Sequence, residues 1–328
     1  MRTEARFPSA GPAAGHYESF FLKATRPGGG RAVWIRCTTH KRPGEALTGS
    51  VWFTMFDAGA PAPVAAKATF PADAVEAPPG GYLRVGEASL TPGAARGAIA
   101  VPGVAVDWEL TYTDRAAVFR HLPYDFLYRT PLPRTKLLSP HPDVRVSGSM
   151  TVNGEPVVLD DWPGTVGHNW GAEHAERWIW LQANEFREAG GFFDAGLGRI
   201  RLGSLTTPWA ANAVLHLDGV PHRLGGLRGG CSTRVNESPT ACEFELGGGD
   251  VRVRGRVSAD ARKFVGWVYA DPVGPEHNTV NCSIADLDLT VERRGRPPKT
   301  LTCRGAAAYE LGMRETGHGI ALQPFPDG

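Results

Sequence analysis

Arg177-Trp178-Ile179-Trp180-Leu181-Gln182-Ala183-Asn184-Glu185-Phe186 is the stretch from which the fold can be read. Extended as a strand, it sends Trp178, Trp180, Gln182, Asn184 and Phe186 to one side and Ile179, Leu181, Ala183 and Glu185 to the other. Two indoles and a phenylalanine form an apolar wall, and two carboxamides on that wall need hydrogen-bond partners once buried. An apolar wall with a few placed polar groups suits a small-molecule site. It equally suits a barrel closure in which Gln182 and Asn184 satisfy backbone groups.

Just upstream, Gly167-His168-Asn169-Trp170-Gly171 places an imidazole and an indole on one face of an extended segment. Imidazole moves protons near neutral pH, and an indole face stabilises a cation. The structural alternative for His168 is a buried histidine bonded to a carbonyl. Downstream, Asp194 sits within Phe192-Phe193-Asp194-Ala195. Burial among aromatics favours a protonated carboxyl, a proton donor, whereas a turn aspartate beside Gly190-Gly191 is the plainer role. Metal ligation by His168, Glu173 and His174, helped by His16, His121 or His141, is a rival chemistry, but the spacing matches no zinc signature. We therefore expect no metal. No nucleophile elbow, phosphate loop or dinucleotide fingerprint occurs, and Gly225-Gly226-Leu227-Arg228-Gly229-Gly230 reads as a loop.

Away from this centre the chain is cut into short elements by 41 glycines and 27 prolines. Strand residues fill 16–25, 31–39, 50–56, 82–90 and 104–113, with Val104-Ala105-Val106-Asp107-Trp108-Glu109-Leu110 alternating wet and dry. Asn153-Gly154 marks a hairpin, since both residues tolerate positive φ. Between 114 and 142 an aromatic, proline-rich stretch containing Tyr124 reads as an ordered crossing segment. Strands resume at 178–186, 191–202, 211–217, 241–246, 251–258, 263–270, 279–291 and 300–311, and the tail beyond Gly312 is expected to pack poorly. A faint internal echo aligns Phe20–Thr25 with Ile179–Asn184 and, at the same offset, Ser50–Phe56 with Trp209–Leu215. It favours two similar β domains, 1–160 and 161–328. Closed barrels of ~8–10 strands would remove their sheet edges and leave room for a ligand.

Lys plus Arg (35) nearly balance Asp plus Glu (34), so nothing chain-wide draws nucleic acid or an anionic membrane. The alternating arginines of Arg252-Val253-Arg254-Gly255-Arg256 read as a solvated strand face. No window nears the ~18 apolar residues of a membrane span, and Met1–Gly15 lacks the apolar segment of a secretory signal. Cytoplasmic location, and a monomer or homodimer, are the expectations. The five cysteines, Cys37, Cys231, Cys242, Cys282 and Cys303, read as reduced, buried thiols. Were the chain exported, Cys231–Cys242 and Cys282–Cys303 would be the pairs to test.

With these residues in view, the chain resembles the lipocalin-like family of AttH-type proteins and carotenoid 1,2-hydratase (hydroxyneurosporene synthase). Tocopherol cyclase-like proteins and certain fungal Diels–Alderases are more distant. The resemblance rests on Tyr17-Glu18-Ser19-Phe20-Phe21-Leu22-Lys23-Ala24, Val33-Trp34-Ile35-Arg36, Lys136-Leu137-Leu138-Ser139-Pro140, Gly148, Gly167–Gly171 and Trp178–Asn184. It implies an all-β fold of two lipocalin-like antiparallel barrels with a hydrophobic cavity near their junction. It further implies a cofactor-independent acid–base enzyme, a hydratase, cyclase or isomerase acting on an isoprenoid or polyketide-like molecule. Asp194, His168 and Trp170 would be the catalytic set, with Phe192 where a hydratase would carry Tyr. Trp178, Trp180, Gln182, Asn184, Tyr17, Glu18 and Tyr124 would bind the ligand. A non-catalytic carrier for a lipid or terpenoid fits the same cavity and stays open.

Overall fold

The computed structural model describes residues 3–11, 13–226 and 233–324, built from strands and short 3₁₀ turns. The first twelve strands are β1 (His16–Thr25), β2 (Arg31–Lys41), β3 (Thr48–Asp57), β4 (Val64–Pro71), β5 (Val75–Glu76), β6 (Leu83–Val85), β7 (Ala88–Thr91), β8 (Ala94–Val101), β9 (Val104–Asp114), β10 (Phe119–Arg120), β11 (Thr135–Val152) and β12 (Glu155–Gly171). They form one antiparallel sheet in the order β4-β3-β2-β1-β12-β11-β9-β8-β7-β6-β5, with β10 on β11. The sheet curls around Phe20, Leu22, Val33, Ile35, Phe53, Leu83 and Trp108.

The second sheet comprises β13 (Arg177–Phe186), β14 (Ala189–Arg199), β17 (Ala210–Leu217), β18 (Val220–Gly225), β19 (Arg234–Ser238), β20 (Ala241–Gly248), β21 (Val251–Ser258), β22 (Val265–Tyr269), β23 (His277–Arg293) and β24 (Lys299–Met313). β15 (Arg201–Leu202) and β16 (Leu205–Thr206) pair separately. Its order is β18-β17-β14-β13-β24-β23-β21-β20-β19, with β22 on β23. Matched strand for strand, this is the order of the first sheet, whose β5 and β6 have no counterpart among the described residues. The sequence echo thus falls on like strands, β1 with β13 and β3 with β17. The expected boundary at 160/161 lies inside β12, which stays in the first sheet; the chain changes sheets across 172–176.

Local chemistry explains most of the joints. Asn153 (φ 51°) and Gly154 (φ 84°) make the hairpin between β11 and β12, where only residues tolerant of the left-handed region fit. The crossing segment is shorter than read, because β11 continues through Pro140 and Pro142. Register shifts between Leu138 and His141 and between His141 and Val144 absorb the missing amide donors. The tail also packs better than expected: Ile320 is buried, and Leu322 bridges to Gly266. No helix among the described residues is long and apolar enough to cross a membrane.

Cys37, Cys242, Cys282 and Cys303 are free and buried, while Cys231 lies outside the described residues. The register sets Cys282 opposite Tyr309 and Cys303 opposite Leu287, so those two thiols do not meet. Burial pushes Cys37, Cys242 and Cys282 up to about 12 and Cys303 up to about 11. These thiols stay protonated in the fold while the unfolded chain ionises near 9, so their stabilisation is complete below pH 9 and lost above it. Lys23 acts oppositely: burial lowers it to about 8 from 10.5, so its contribution rises between those values. Urea denaturation should therefore show stability peaking near pH ~9, then falling by about 1 kcal/mol per thiol per pH unit. A flat profile from pH ~8 to ~11 would contradict this balance.

Candidate functional site at the seam between the barrels

Strands β1, β2 and β3 are buried on both faces. Phe20, Leu22 and Ala24 fill the first barrel, and the alternate residues of β1, Ser19, Phe21 and Lys23, meet the second barrel. From the other side come Trp178, Trp180, Gln182 and Asn184. The alternation of β13 was thus read correctly, but the face it defines looks at the other barrel rather than into its own. Phe21 and Trp180 meet edge to face at 5.0 Å. Lys23 Nζ donates to Gln182 Oε1 (3.1 Å) and to the Ala306 carbonyl (2.9 Å). Gln182 Nε2 donates to Asn184 Oδ1 (2.7 Å), and Asn184 Nδ2 donates to Asp143 Oδ1 (3.1 Å) and the Pro142 carbonyl (3.2 Å). These carboxamides join the barrels.

Beside this polar chain lies a cavity of about 190 Å³. Phe21, Trp34, Trp178, Trp180 and Tyr269 give its aromatic wall; Arg36, His121, His174 and Glu310 are its ionisable members. Two glycines make the wall possible. A Cβ on Gly312 would lie 2.2 Å from the Trp178 ring, and one on Gly167 would lie 2.1 Å from Phe21 Cζ. Each ring lies flat on a strand that carries no side chain beneath it.

Against one wall of the cavity lies a hydrogen-bonded set of which His121 lines the cavity, with Ser139 and Asp194 behind it. Asp194 is fully buried and accepts from Ser139 Oγ (2.5 Å) and Trp180 Nε1 (3.3 Å). His121 Nε2 lies 3.0 Å from the same Ser139 Oγ, and His121 Nδ1 lies 3.2 Å from the Asn212 carbonyl. A carbonyl only accepts, so Nδ1 carries hydrogen. With the serine hydrogen directed at Asp194, Nε2 must carry one too. Shifting both hydrogens one step converts imidazolium and carboxylate into imidazole and carboxylic acid. His121, Ser139 and Asp194 therefore share one transferable proton.

The other side presents a base. His174, in the 172–176 connection, is stacked on Tyr17 (centroids 3.9 Å) and on Trp178 (5.3 Å). Its Nδ1 lies 2.6 Å from Asp271 Oδ1, which also accepts the His174 backbone amide (2.7 Å). The carboxylate fixes the tautomer with hydrogen on Nδ1, leaving the buried Nε2 without a partner. Burial lowers the His174 pKa and Asp271 raises it, with His277 and Arg36 adding to the lowering; the net shift is downward and favours the neutral ring. Tyr17 donates to or accepts from Thr135 Oγ1 and serves as a stacking plate.

His174, Asp271 and His277 also form a set whose ligand atoms lie within 4.8 Å of one another, the geometry of a possible metal site. Glu173 is elsewhere, paired with Arg134 at 2.6 Å. The Nδ1 and amide hydrogen bonds of His174 occupy Asp271 Oδ1, while His174 Nε2, Asp271 Oδ2 and both ring nitrogens of His277 are buried without hydrogen-bond partners. With His174 serving as a base rather than a ligand, dialysis against EDTA should leave the melting temperature unchanged; a clear drop would make this cluster a metal centre.

The remaining expected residues lie apart from the cavity. His168 is sandwiched between Phe20 (3.8 Å) and Trp170 (4.3 Å) on the opposite face of β1 and β12. Its Nε2 meets Glu18 Oε1 at 2.7 Å. Glu18 also accepts the amides of Arg6 and Phe7, tying the N-terminal segment to the barrel. Its carboxyl is held down at about 2: burial raises it, but bonds from His16 and His168 outweigh that. The structure therefore does not bring His168 and Trp170 to Asp194, because odd and even positions of β12 face opposite ways. Tyr124 is half exposed, stacked on Phe126 beside an open groove of about 1070 Å³ bounded by Arg223 and Arg293. Replacing His168 by Gln should lower stability by ~1–3 kcal/mol, as expected for a buried group left unpaired, and leave ligand affinity unchanged. A loss of affinity at equal stability would return His168 to the site.

Sequence reading missed Arg36 and Glu310 as site members and took His121 and His174 only as metal donors. The available signal was a charged residue inside an apolar strand, as in Ala32-Val33-Trp34-Ile35-Arg36-Cys37.

No protein-family profile matches the chain. Rv0493c of Mycobacterium tuberculosis H37Rv is 25% identical over 319 residues, spanning 95% of this chain and 91% of its own. Its counterpart MT0513 in strain CDC 1551 matches identically. Among solved structures, NE1406 of Nitrosomonas europaea, named for AttH, superposes with a TM-score of 0.54 at 15% identity, covering 92% of this chain and 93% of that one. Kievitone hydratase of Nectria haematococca gives 0.51 at 11% identity, over 94% and 91%. CghA, solved with Sch210972, gives 0.51 at 11%, over 93% and 90%. The chain shares their fold.

Proposed function

We propose that the protein is an acid–base enzyme of the hydratase, cyclase or isomerase type, acting on a hydrophobic isoprenoid or polyketide-like molecule held in the seam cavity. The observation that carries this reading is the pairing, around one aromatic cavity, of a proton-bearing group with an unpartnered neutral imidazole. His121, Ser139 and Asp194 supply the proton, with Asp194 as the acid of the set and His121 as its member lining the cavity. His174, oriented by Asp271, accepts a proton from water or from the ligand in place of His168. Trp178 and Trp180 shield positive charge as it develops. That such a fold can carry hydration chemistry is supported by the name of kievitone hydratase.

The cavity lies below the ~300–1,000 Å³ usual for ligand pockets, which favours a compact substrate. The test is native mass spectrometry of purified protein after incubation with small isoprenoid and polyketide mixtures. A bound species and a product shifted by one water, or isomeric with the substrate, are expected. Tight binding of unchanged ligand would make the protein a carrier, and Asp194→Asn should then leave affinity intact.

A further inference from the structure

Arg36 is a buried cation that forms no ion pair with a carboxylate among the described residues. It lies on β2 and lines the cavity, and its side chain is almost wholly enclosed. Its Nε donates to Ser19 Oγ at 2.7 Å, which fixes the guanidinium in place. The rings of Tyr269 (4.2 Å), Trp52 (5.1 Å) and Trp34 (5.8 Å) surround it. Aromatic faces attract a cation but accept no hydrogen bond in the guanidinium plane, and NH1 is buried with no acceptor. No carboxylate among the described residues is paired with it.

Neither neighbouring acid forms an ion pair with Arg36, although Asp271 Oδ2 is buried without a hydrogen-bond partner. Glu310 accepts from Trp178 Nε1 (2.9 Å), Asn281 Nδ2 (3.0 Å) and Tyr269 Oη (3.4 Å). Asp271 is taken by His174 (2.6 Å) and lies near His277 (3.3 Å) and Arg314 (3.8 Å). Arginine does not escape its charge by losing a proton, and an unpaired buried charge is strongly unfavourable. A group that enters the cavity with an anionic oxygen relieves both problems.

We propose that the substrate bears an acidic oxygen, a carboxylate or an ionised enol or phenol, which Arg36 binds through NH1. This rests on the seam cavity being the ligand site. It narrows the ligand from a plain hydrocarbon or alcohol to an apolar acid. It also gives Arg36 a positioning role: holding the charged end fixes which carbon faces His174 and which faces His121.

The experiment compares two ten-carbon probes that differ only at the end group, geranic acid and geraniol, at pH 7.5, read by fluorescence of the cavity tryptophans. Wild type should bind the acid at least tenfold more tightly than the alcohol, as expected for a charge-assisted bond. Arg36→Gln should abolish the difference, while Arg36→Lys, which keeps the charge, should retain part of it. Where the glutamine variant fails to fold, the wild-type preference and the lysine variant carry the test. Equal binding of both probes to wild type overturns the role of Arg36 and leaves the cavity reading standing. A preference that survives in Arg36→Gln overturns it as well. Binding of neither probe overturns both.

Discussion

Replacing His174 by Gln is expected to lower kcat about 10²- to 10⁴-fold with little change in melting temperature, the usual range for a lost proton-transfer group. Glutamine can still donate to Asp271 and fill the slot between Tyr17 and Trp178, but it cannot take up a proton. The pH profile distinguishes this from a packing defect. Neutral His174 is the active form and burial lowers its pKa below 6.5, so activity should be flat through pH 7 and fall only on the acid side of 6.5. Asp271→Asn should also impair turnover, because an amide no longer selects the tautomer with hydrogen on Nδ1. Retention of wild-type kcat in His174→Gln would remove the base from the scheme.

Gly312→Ala is expected to break the cavity wall with a single methyl group. The new Cβ would sit 2.2 Å from Trp178, so the ring must leave its seat. In leaving it gives up the bond to Glu310 (2.9 Å) and the stacking on His174 (5.3 Å). Overpacking of this kind costs about 1–3 kcal/mol, and ligand binding should be lost with the wall. Pairing the substitution with Trp178→Leu should restore much of the stability but not the affinity. Thermal melts of the single and double variants decide it: an unperturbed single variant would mean that the glycine is not a seat.

Much of the fold was legible because period-two alternation survives wherever a strand has unlike faces, as in Val104–Leu110, and because Asn153-Gly154 announces its own turn. Prolines misled at 140 and 142, where bulges absorb them inside β11. The site was harder. A strand buried on both faces carries no polar side to point outward, so the sequence of β1 cannot say which of Phe20 and Phe21 faces its own barrel. His168 was chosen for its aromatic neighbours, yet the same β12 turns Asn169 toward the cavity instead. Asp271 was invisible because it lies 97 residues from the histidine that it orients.

The order of strands common to both barrels has a consequence for their seam. At the offset of the sequence echo, Phe21 is the counterpart of Trp180 and Lys23 that of Gln182, and these are the residues that touch. Contacts between counterparts are what a two-fold axis produces, as in an isologous dimer of one barrel. Pairing shows where the halves diverged: Arg36 stands beside Phe21, whereas Gly196 stands beside Trp180. Likewise Gly167 lies beside Phe21 and Glu310 beside Trp180. The scaffold is symmetric and its charges are not, so one orientation of a ligand is distinguished from its reverse.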